Sequence, residues 1–438
     1  MKKVSPVLLL LLTSYTMLQA QNSWSDLGLS SDSVITSIVI DKNNNLYAGG
    51  RFINVNGYYY IAKWGGTTWG EVGPGKTNLR TSVLAVDSSG NVYTIAKDIN
   101  SPFYIIKWDG KDWKTVGAPN ASGVFSPIAV DKNQNVYTQG YDFDQSNQWF
   151  FPWIESGNNT GGYVNLHLNY PIKDITIDNK GNVYAAGGFS AYKEYSTTRN
   201  DIPCSVLKNW NVFGSGSGPA GISSIVVDAV GTVYVASNGA TKNYVAKWDG
   251  TSWTELGSGV TALNANSSIN SIALDELGNV YAAGSFVNGN GKKYVAKWNG
   301  ANWSELGSDK DALNANDVIY KIAVDWIGNV YACGAFTNTA GKKYIAKWNN
   351  KGITAGIQNG VDYTAMALYP NPGTDKVFTN IREEGQLNVY TNCGELVVSQ
   401  KTNAETSFLD LNNISPGMYT ISFEGQRIMY KSVKFIKE

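Results

Sequence analysis

The chain has 438 residues, 43% of them hydrophobic and 16% charged, which is enough to bury a large core and to form more than one domain. Its 35 basic and 35 acidic residues balance, and no long run of like charge occurs, which argues against nucleic acid or an anionic membrane surface as a partner. The 46 glycines, 26 tyrosines and 14 tryptophans favour short aromatic strands joined by tight turns, so the composition predicts an all-β protein.

The start of the chain has the pattern of a signal peptide. Lys2 and Lys3 precede a short apolar run at positions 7–12, and Ala20 is a small residue suited to a cleavage site. The apolar run is too short to cross a hydrocarbon layer about 30 Å thick. We therefore predict that residues 1–20 direct export and are not part of the folded protein.

A repeated sequence occupies residues 21–350. Each copy has an aliphatic strand ending in Asp, then a turn, then Asn-Val-Tyr or a close variant. The turns begin at Asp41, Asp87, Asp131, Asp178, Asp228, Asp275 and Asp325, which are 44 to 50 residues apart. That period suits four short strands and is too long for a two-helix repeat, so the seven copies are expected to be the blades of a seven-bladed β-propeller.

The two ends of the repeat region complement each other. The third and fourth strands of most copies carry a tryptophan pair around a tight turn, as in Trp298 and Trp303. The seventh copy ends at Trp348 without a second tryptophan, whereas Trp24 begins a segment that matches the missing strand. Because pairing the ends removes exposed strand edges, we predict that the N-terminal strand closes the propeller.

The Asp-x-x-Gly-Asn-Val-Tyr segment resembles bacterial β-propeller repeat families in which this segment marks each blade. The resemblance extends over residues 22–350 and implies the architecture alone, because propellers host unrelated activities. Blades three and four depart most from the common pattern.

The variable connections lie between second and third strands and between consecutive blades, and both sets emerge at one end of a propeller. That end is the expected working face, because loops on a rigid scaffold carry function. Blades three and four have the most aberrant connections, whose aromatic rings and carboxylates suit stacking on sugars and hydrogen bonding to hydroxyls. The candidate ligand-binding residues are Tyr141, Asp142, Asp144, Trp149, Trp153, Tyr192, Tyr195, Arg199 and Asp201. Alternatively, Trp149 and Trp153 are displaced core tryptophans of blade three.

No catalytic, metal or cofactor site is predicted. His167 is the only histidine, which excludes a two-histidine zinc site. The repeated aspartate turns lack the glycine and the later glutamate of a helix-loop-helix calcium site, and we interpret them as hairpin turns. Asp142 and Asp144 leave glycosidase chemistry open, because the sequence does not give their separation in space.

A second module follows the repeats. Short alternating strands with glycine and proline turns predict a small Ig-like β-sandwich over residues 367–438, joined by a linker at 351–366. The distinctive residues of this module are Tyr369, Pro370, Asn371, Pro372, Gly417 and Tyr419. Through them the sequence resembles the C-terminal sorting domain of type IX secretion substrates. This resemblance implies the type IX machinery as partner and delivery through the outer membrane of a Bacteroidetes-type cell, to the cell surface or the medium.

The predicted function is a monomeric, noncatalytic binding module for a glycan or a protein. The alternative is an extracellular carbohydrate-active enzyme, a glycoside hydrolase or a polysaccharide lyase, with its site on the variable-loop face. Several acidic, arginine or tyrosine groups in one deep pocket would favour the enzyme, and a shallow aromatic strip would favour binding.

Overall fold

The structure is a computed structural model, and in the part of the chain that it describes the regular elements are β-strands and the short 3-10 helix Gly259–Thr261. The predicted all-β class is therefore confirmed. The structure describes residues 23–73, 83–96, 104–117, 127–144, 147–155, 162–163, 166–192, 202–203, 206–213, 218–275, 278–307, 311–325, 328–350, 363–381, 384–391, 395–402, 408–425, 429–431 and 433–438.

The repeat region forms one antiparallel sheet per repeat, and we number these sheets 1 to 7 in chain order. Sheets 1, 2, 4, 5 and 6 each have four strands, paired in sequence order. The strands are Ile35–Ile40, Leu46–Gly50, Ala62–Trp64 and Trp69–Glu71 in sheet 1; Leu84–Val86, Val92–Ala96, Tyr104–Trp108 and Trp113–Gly117 in sheet 2; Ile172–Ile177, Val183–Gly187, Val206–Lys208 and Asn211–Val212 in sheet 4; Ile222–Val227, Val233–Asn238, Asn243–Trp248 and Trp253–Glu255 in sheet 5; and Ile269–Leu274, Val280–Val287, Lys293–Trp298 and Trp303–Glu305 in sheet 6.

Sheet 7 is assembled from both ends of the repeat region. Its first three strands are Ile319–Val324, Val330–Gly334 and Ala346–Trp348, and its fourth is Trp24–Asp26. The last two strands run antiparallel, with Trp24 opposite Trp348. The predicted pairing of the N-terminal strand with the last repeat is therefore present.

The closing strand makes the same contacts as the other fourth strands. The ring centroids of Trp24 and Trp348 lie 5.8 Å apart, close to the 5.9 Å between Trp298 and Trp303 in sheet 6. The Trp24 indole N–H donates to the backbone oxygen of Leu306 at 2.9 Å, and Trp303 makes the corresponding bond to the preceding sheet at the same distance. Each indole thus ties its own sheet to the sheet before it.

The first strands of consecutive sheets lie side by side, and the first strand of sheet 7 also contacts that of sheet 1. Hydrogen bonds reinforce these contacts. The Ser37 hydroxyl accepts the N–H of Leu84 in the next sheet at 3.2 Å, and the Ser271 hydroxyl accepts that of Ile322 at 3.2 Å. Apolar residues fill the spaces between neighbouring sheets. The first strands therefore form a ring that closes on itself.

Sheet 3 is larger than the others and includes strands from two repeats. Its strands pair in the order Ala129–Val130, Val136–Asp144, Asn147–Glu155, His167–Leu168, Ser190–Tyr192 and Ile202–Pro203, and Gly162–Tyr163 pairs separately with the third of these. The last two strands of the series come from the second-to-third connection of repeat 4. The connections of repeats 3 and 4 are thus joined in one continuous sheet.

The C-terminal unit has its own sheets and its own core. Its four-stranded sheet has the order Leu396–Thr402, Gly385–Thr391, Gly417–Gly425 and Val433–Lys437; its three-stranded sheet is Leu368–Tyr369, Lys376–Thr379 and Phe408–Asp410; and Tyr363–Ala365 pairs in parallel with Met429–Lys431. Leu387, Ile421 and Phe435 of the first sheet pack with Val377 and Leu409 of the second, and all five are fully buried. The strand Tyr363–Ala365 falls at the end of the predicted linker.

Candidate functional site

At one end of the sheets, the turn end, the repeated aspartates hold the hairpin between the first and second strands. Asp87 Oδ1 accepts the backbone N–H groups of Ser89 and Asn91 at 2.8 and 3.0 Å. Asp87 Oδ2 accepts the Asn91 amide at 2.7 Å and the Tyr93 hydroxyl at 3.0 Å. A tyrosine hydroxyl donates in the same way to Asp41, Asp131, Asp178, Asp228, Asp275 and Asp325. These carboxylates are engaged in the turns, which is what the hairpin interpretation predicts.

At the opposite end, the loop end, the second-to-third connections of sheets 1, 6 and 7 share one anchored conformation. Asn288 Oδ1 accepts the N–H groups of Asn290 and Lys292 at 3.1 Å, and its amide donates to Glu305 on the fourth strand at 3.1 Å. Asn54 and Asn338 make the same link to the fourth strand in sheets 1 and 7. These asparagine side chains therefore form hydrogen bonds that hold their own loops in place.

The connections that lead into sheets 6 and 7 are anchored as well. Asn266 accepts the backbone N–H of Val287 at 2.9 Å and donates to its oxygen at 3.1 Å. Asn316 accepts the N–H of Thr337 at 2.8 Å and donates to its hydroxyl at 2.8 Å. Both amides therefore connect one loop to the next by hydrogen bonds.

Sheet 3 extends at the loop end and brings several of the predicted ligand-binding residues onto one face. By register, Asp142 lies opposite Trp149, Asp144 opposite Asn147, and Thr138 opposite Trp153. Opposed residues, and residues two apart on a strand, share a face of the sheet. Asp142, Asp144, Trp149 and Trp153 therefore share a face, which we call the acidic-aromatic face.

The strand from repeat 4 adds Tyr192 to this face. Phe150 lies opposite Leu168, and Leu168 lies opposite Ala191. Tyr192 pairs with His167, one position further along, and so lies on the other side of the sheet from Phe150. Trp149 also adjoins Phe150 in its strand, so Tyr192 and Trp149 share a face. This convergence depends on the strand exchange between the two repeats.

Tyr141 belongs to the opposite face, so the structure separates it from the other predicted residues of this strand. It lies opposite Phe150 and two residues from Gln139. Gln139 is buried, and its side chain accepts the N–H of Ile172 in sheet 4 at 2.7 Å. Tyr195, Arg199 and Asp201 lie outside the described residues.

Neither Trp149 nor Trp153 occupies the register position of the paired core tryptophans. In sheet 6, Trp298 is opposite Val280, the first residue of the second strand. The corresponding partner of Val136 in sheet 3 is Glu155. Trp153 is two residues, and Trp149 six residues, closer to the loop end than Glu155. Register thus separates both residues from the tryptophan pairs of the other sheets.

Sequence reasoning missed a pair of charges inside the ring of first strands. Asp174 on sheet 4 accepts the hydroxyl of Ser224 at 2.8 Å and the N–H of Ile225 at 3.0 Å, both from sheet 5. The Lys321 ammonium on sheet 7 lies 3.8 Å from the same Asp174 oxygen. Sheets 4 and 7 are not neighbours, so this pair spans the interior of the ring.

A signal for this pair was present in the repeats. Four positions before the turn aspartate, successive repeats carry Ser37, Val83, Pro127, Asp174, Ser224, Ser271 and Lys321. Only the fourth and seventh repeats have a charge there, and the two charges have opposite signs. Aligning the repeats at this position would have identified both residues.

The residues of the predicted sorting motif converge on the C-terminal strand. Asn371 donates to the backbone oxygen of Lys434 at 2.9 Å and accepts the N–H of Ile436 at 3.0 Å. Gly417 lies opposite Lys437 at the other edge of the same strand. Pro370 and Pro372 are exposed beside Asn371, the Tyr369 ring stacks on Phe378 at 5.7 Å, and the Tyr419 hydroxyl donates to Ser415 at 2.7 Å.

Residues 367–438 match the family model described as "Secretion system C-terminal sorting domain". The C-terminal unit is a type IX sorting domain. The sorting domain implies secretion by the type IX system and interaction with its machinery, and it indicates export to the cell surface or beyond. No helix among the described residues has the length and apolar character needed to span a membrane.

Comparison with curated proteins found no match for the sequence. Among solved structures, YCF48 from Cyanidioschyzon merolae is 16% identical with a TM-score of 0.48, covering 76% of this chain and 100% of its own. A lectin of Aleuria aurantia is 15% identical with a TM-score of 0.39, covering 73% of this chain and 93% of its own. At these TM-scores, the similarities are too distant to assign a ligand or an activity.

Proposed function

We propose that this protein is a seven-bladed β-propeller that binds a glycan at its loop end without catalysing a reaction. Sheets 1 to 7 are its blades, Trp24–Asp26 closes the ring, and the sorting domain is a small Ig-like β-sandwich. The signal peptide and the sorting domain direct the monomeric protein to the outer face of the cell or into the medium. The observation that carries the proposal is the acidic-aromatic face.

This face combines the two chemistries that sugars need. Tryptophan and tyrosine rings stack on the apolar faces of pyranose rings, while carboxylates accept hydrogen bonds from hydroxyl groups. Trp149 and Trp153 are four residues apart on one strand, about 13 Å at strand spacing. A row of this length suits several consecutive sugar units of a polymer.

The spacing of Asp142 and Asp144 gives the enzyme alternative its one supporting observation. Two residues apart on a strand face, their Cα atoms are about 7 Å apart, and glycosidases act through two carboxylic residues that lie near each other. Such a pair must lie on opposite sides of the scissile bond. Neighbours on one strand face approach a bound sugar from the same side, which favours binding.

The experiment is a screen of the mature chain against neutral and acidic polysaccharides, recording both affinity and released sugars. We expect binding without product release, and we expect Trp149→Ala to weaken binding about tenfold through loss of stacking. Tyr58→Ala is the matched control, because Tyr58 is an exposed aromatic residue in the regular loop of sheet 1.

Three results would overturn parts of the proposal. Equal effects of the two variants would contradict the placement of the site. Product release that Asp142→Ala abolishes would establish the enzyme. Absence of binding to every polysaccharide would refute a glycan-binding function.

A further inference from the structure

We propose that the mouth of the ring at the loop end is an anion subsite formed by Lys173 and Lys321, and that the glycan is acidic, with uronate carboxylates at these lysines. This inference rests on the proposed function and specifies its ligand class. It concerns residues that lie outside the acidic-aromatic face.

The mouth is outlined by the residue at the β-bulge near the start of each first strand. The Ser223 hydroxyl donates to the oxygen of Ile269 in the next sheet at 2.6 Å, and the Asn270 amide donates to that of Ile319 at 3.0 Å. These bulge residues therefore run from sheet to sheet around the loop end of the ring.

Sheets 4 and 7 carry different residues at the same bulge position. Lys173 and Tyr320 stand there, and both are exposed. Where the Ser223 and Asn270 side chains bond to the backbone of the next sheet, Lys173 brings a charge to the mouth. The next residue in sheet 7 is Lys321, whose ammonium lies 3.8 Å from the carboxylate of Asp174, the residue that follows Lys173 in sheet 4.

Asp174 leaves the lysines with an excess of positive charge. Its Oδ2 atom already accepts two hydrogen bonds from sheet 5, and the Lys321 ammonium at 3.8 Å is beyond hydrogen-bond distance from it. The Lys321 side chain is 35% exposed, so its N–H donors can reach a ligand. Two ammonium groups against one carboxylate leave a net charge of +1 for an anion.

The structural role of this position does not require a charge. Serine makes the bond between first strands in sheets 1 and 6, as Ser37 and Ser271 show. Asp174 accepts the equivalent hydrogen bond from the Ile225 N–H, and in addition it attracts Lys321 toward the centre of the ring. The charged pair is therefore explained by a function beyond holding the sheets together.

The subsite adjoins the strand that carries Asp142 and Asp144, on the side of that strand opposite to the acidic-aromatic face. Gln139, on the strand that continues to Asp142, accepts the N–H of Ile172 at 2.7 Å and donates to its oxygen at 3.3 Å. Ile172 immediately precedes Lys173. A sugar chain bound to the acidic-aromatic face therefore reaches the lysines by passing over the loop end of this strand, with hydroxyls at the aspartates and carboxylates at the ammonium groups.

The test compares polygalacturonate with its fully methyl-esterified form, which has the same backbone without charge. We expect the mature chain to bind polygalacturonate about tenfold more tightly at low salt, with the difference shrinking as ionic strength rises. Lys321→Met and Lys173→Met should each remove most of this preference and leave affinity for the methyl ester unchanged. Lys111→Met is the matched control, because Lys111 is exposed in a turn at the other end of sheet 2.

Asp174→Ser separates the ligand role from the structural role. It restores the residue of repeats 1, 5 and 6 and removes the competing carboxylate, so polygalacturonate should bind as tightly as before or more tightly. Equal binding of the two polymers by the parent chain would overturn the inference and leave the proposed function intact. A lower melting temperature of Lys321→Met with unchanged polymer preference would also overturn it, whereas binding to no polysaccharide would refute the proposed function itself.

Discussion

In sheets 1 and 6, the glycine after the fourth strand lies against a tryptophan of the neighbouring sheet. Gly73 has φ +77°, and a Cβ atom built there would lie 2.8 Å from the Trp108 ring. Gly307 has φ +90°, and its Cβ atom would lie 2.8 Å from the Trp348 ring. A positive φ strains any other residue, and these contacts add a steric clash. A glycine that indicates a turn in the sequence is thus also needed for the packing between two sheets.

Gly73→Ala should destabilise the protein by about 2 to 3 kcal/mol, because strain and clash act together. Gly66→Ala is the matched control, since Gly66 also has a positive φ but no atom within 4 Å of the built Cβ. We expect its loss to be about 1 kcal/mol. Urea unfolding of both variants measures the difference. Equal losses would show that packing against Trp108 contributes nothing.

The tyrosines of the turn motif predict alkaline unfolding. Burial, with the hydrogen bond to Asp131, raises the pKa of Tyr137 to about 12, and burial beside Asp228 raises the pKa of Tyr234 to about 12. A raised folded-state pKa means that the neutral phenol stabilises the fold. The contribution is complete below the ordinary pKa of 10 and is lost as pH rises from 10 to 12.

Unfolding free energies measured between pH 8 and pH 12 should therefore fall above pH 10, together with a rise in phenolate absorbance. Tyr234→Phe cannot ionise at this site and should lose less stability over that interval. An identical pH profile for the variant and the parent would contradict a role for Tyr234.

At the scale of elements, the enlarged sheet 3 shows how an irregular connection becomes ordered. The strand His167–Leu168 has only two residues, and Leu168 is fully buried. The strand Ser190–Tyr192 from repeat 4 covers its edge, which would otherwise present unpaired backbone groups. The strand contributed by repeat 4 thus stabilises the extension of sheet 3 that carries the predicted ligand-binding residues.

Ala191→Pro should disrupt this extension of sheet 3 and leave the ring folded. Proline cannot donate a backbone hydrogen bond, and it distorts the pairing opposite Leu168. Hydrogen exchange should show faster exchange of the His167 and Asn169 amides, because the Asn169 N–H donates to the backbone oxygen of Ser190 at 3.3 Å. The amides of sheet 6 provide an internal control and should keep their protection. Unchanged exchange at Asn169 would contradict the pairing between the two repeats.

At the scale of the whole molecule, the ring depends on one short strand contributed from the other end of the repeat region. Trp24–Asp26 completes sheet 7, and the Trp24 indole also bonds to sheet 6. Because every sheet contacts both neighbours, removing this strand weakens two interfaces at once. The sorting domain has a separate core and is expected to be dispensable for the stability of the ring.

Deleting residues 22–29 should lower the melting temperature of the ring by at least about 5 °C, since it removes a strand and an indole contact. Truncation after residue 350 should leave that melting temperature unchanged and abolish delivery through the type IX system. Calorimetry of both purified chains and fractionation of cells expressing them measure these outcomes. An unchanged melting temperature after the first deletion would refute the role of the closing strand.

The sequence by itself determined the features that repeat or that act locally. The period of the turn aspartates predicted one sheet per repeat, the unmatched Trp24 and Trp348 predicted the closing pair, and the C-terminal residues predicted the sorting domain. These features can be predicted from sequence because turns and strand alternation depend on only a few neighbouring residues. Periodicity then made each signal recognisable several times over.

Only the tertiary structure decided which side chains meet. The sequence selected Asp142 and Trp149 together with Tyr141, yet register puts Tyr141 on the opposite face, because a strand reverses its side-chain direction at every residue. The pairing of Ser190–Tyr192 with His167–Leu168 and the approach of Lys321 to Asp174 join segments far apart in the chain. Such contacts depend on how whole sheets are placed relative to one another, which no local pattern specifies.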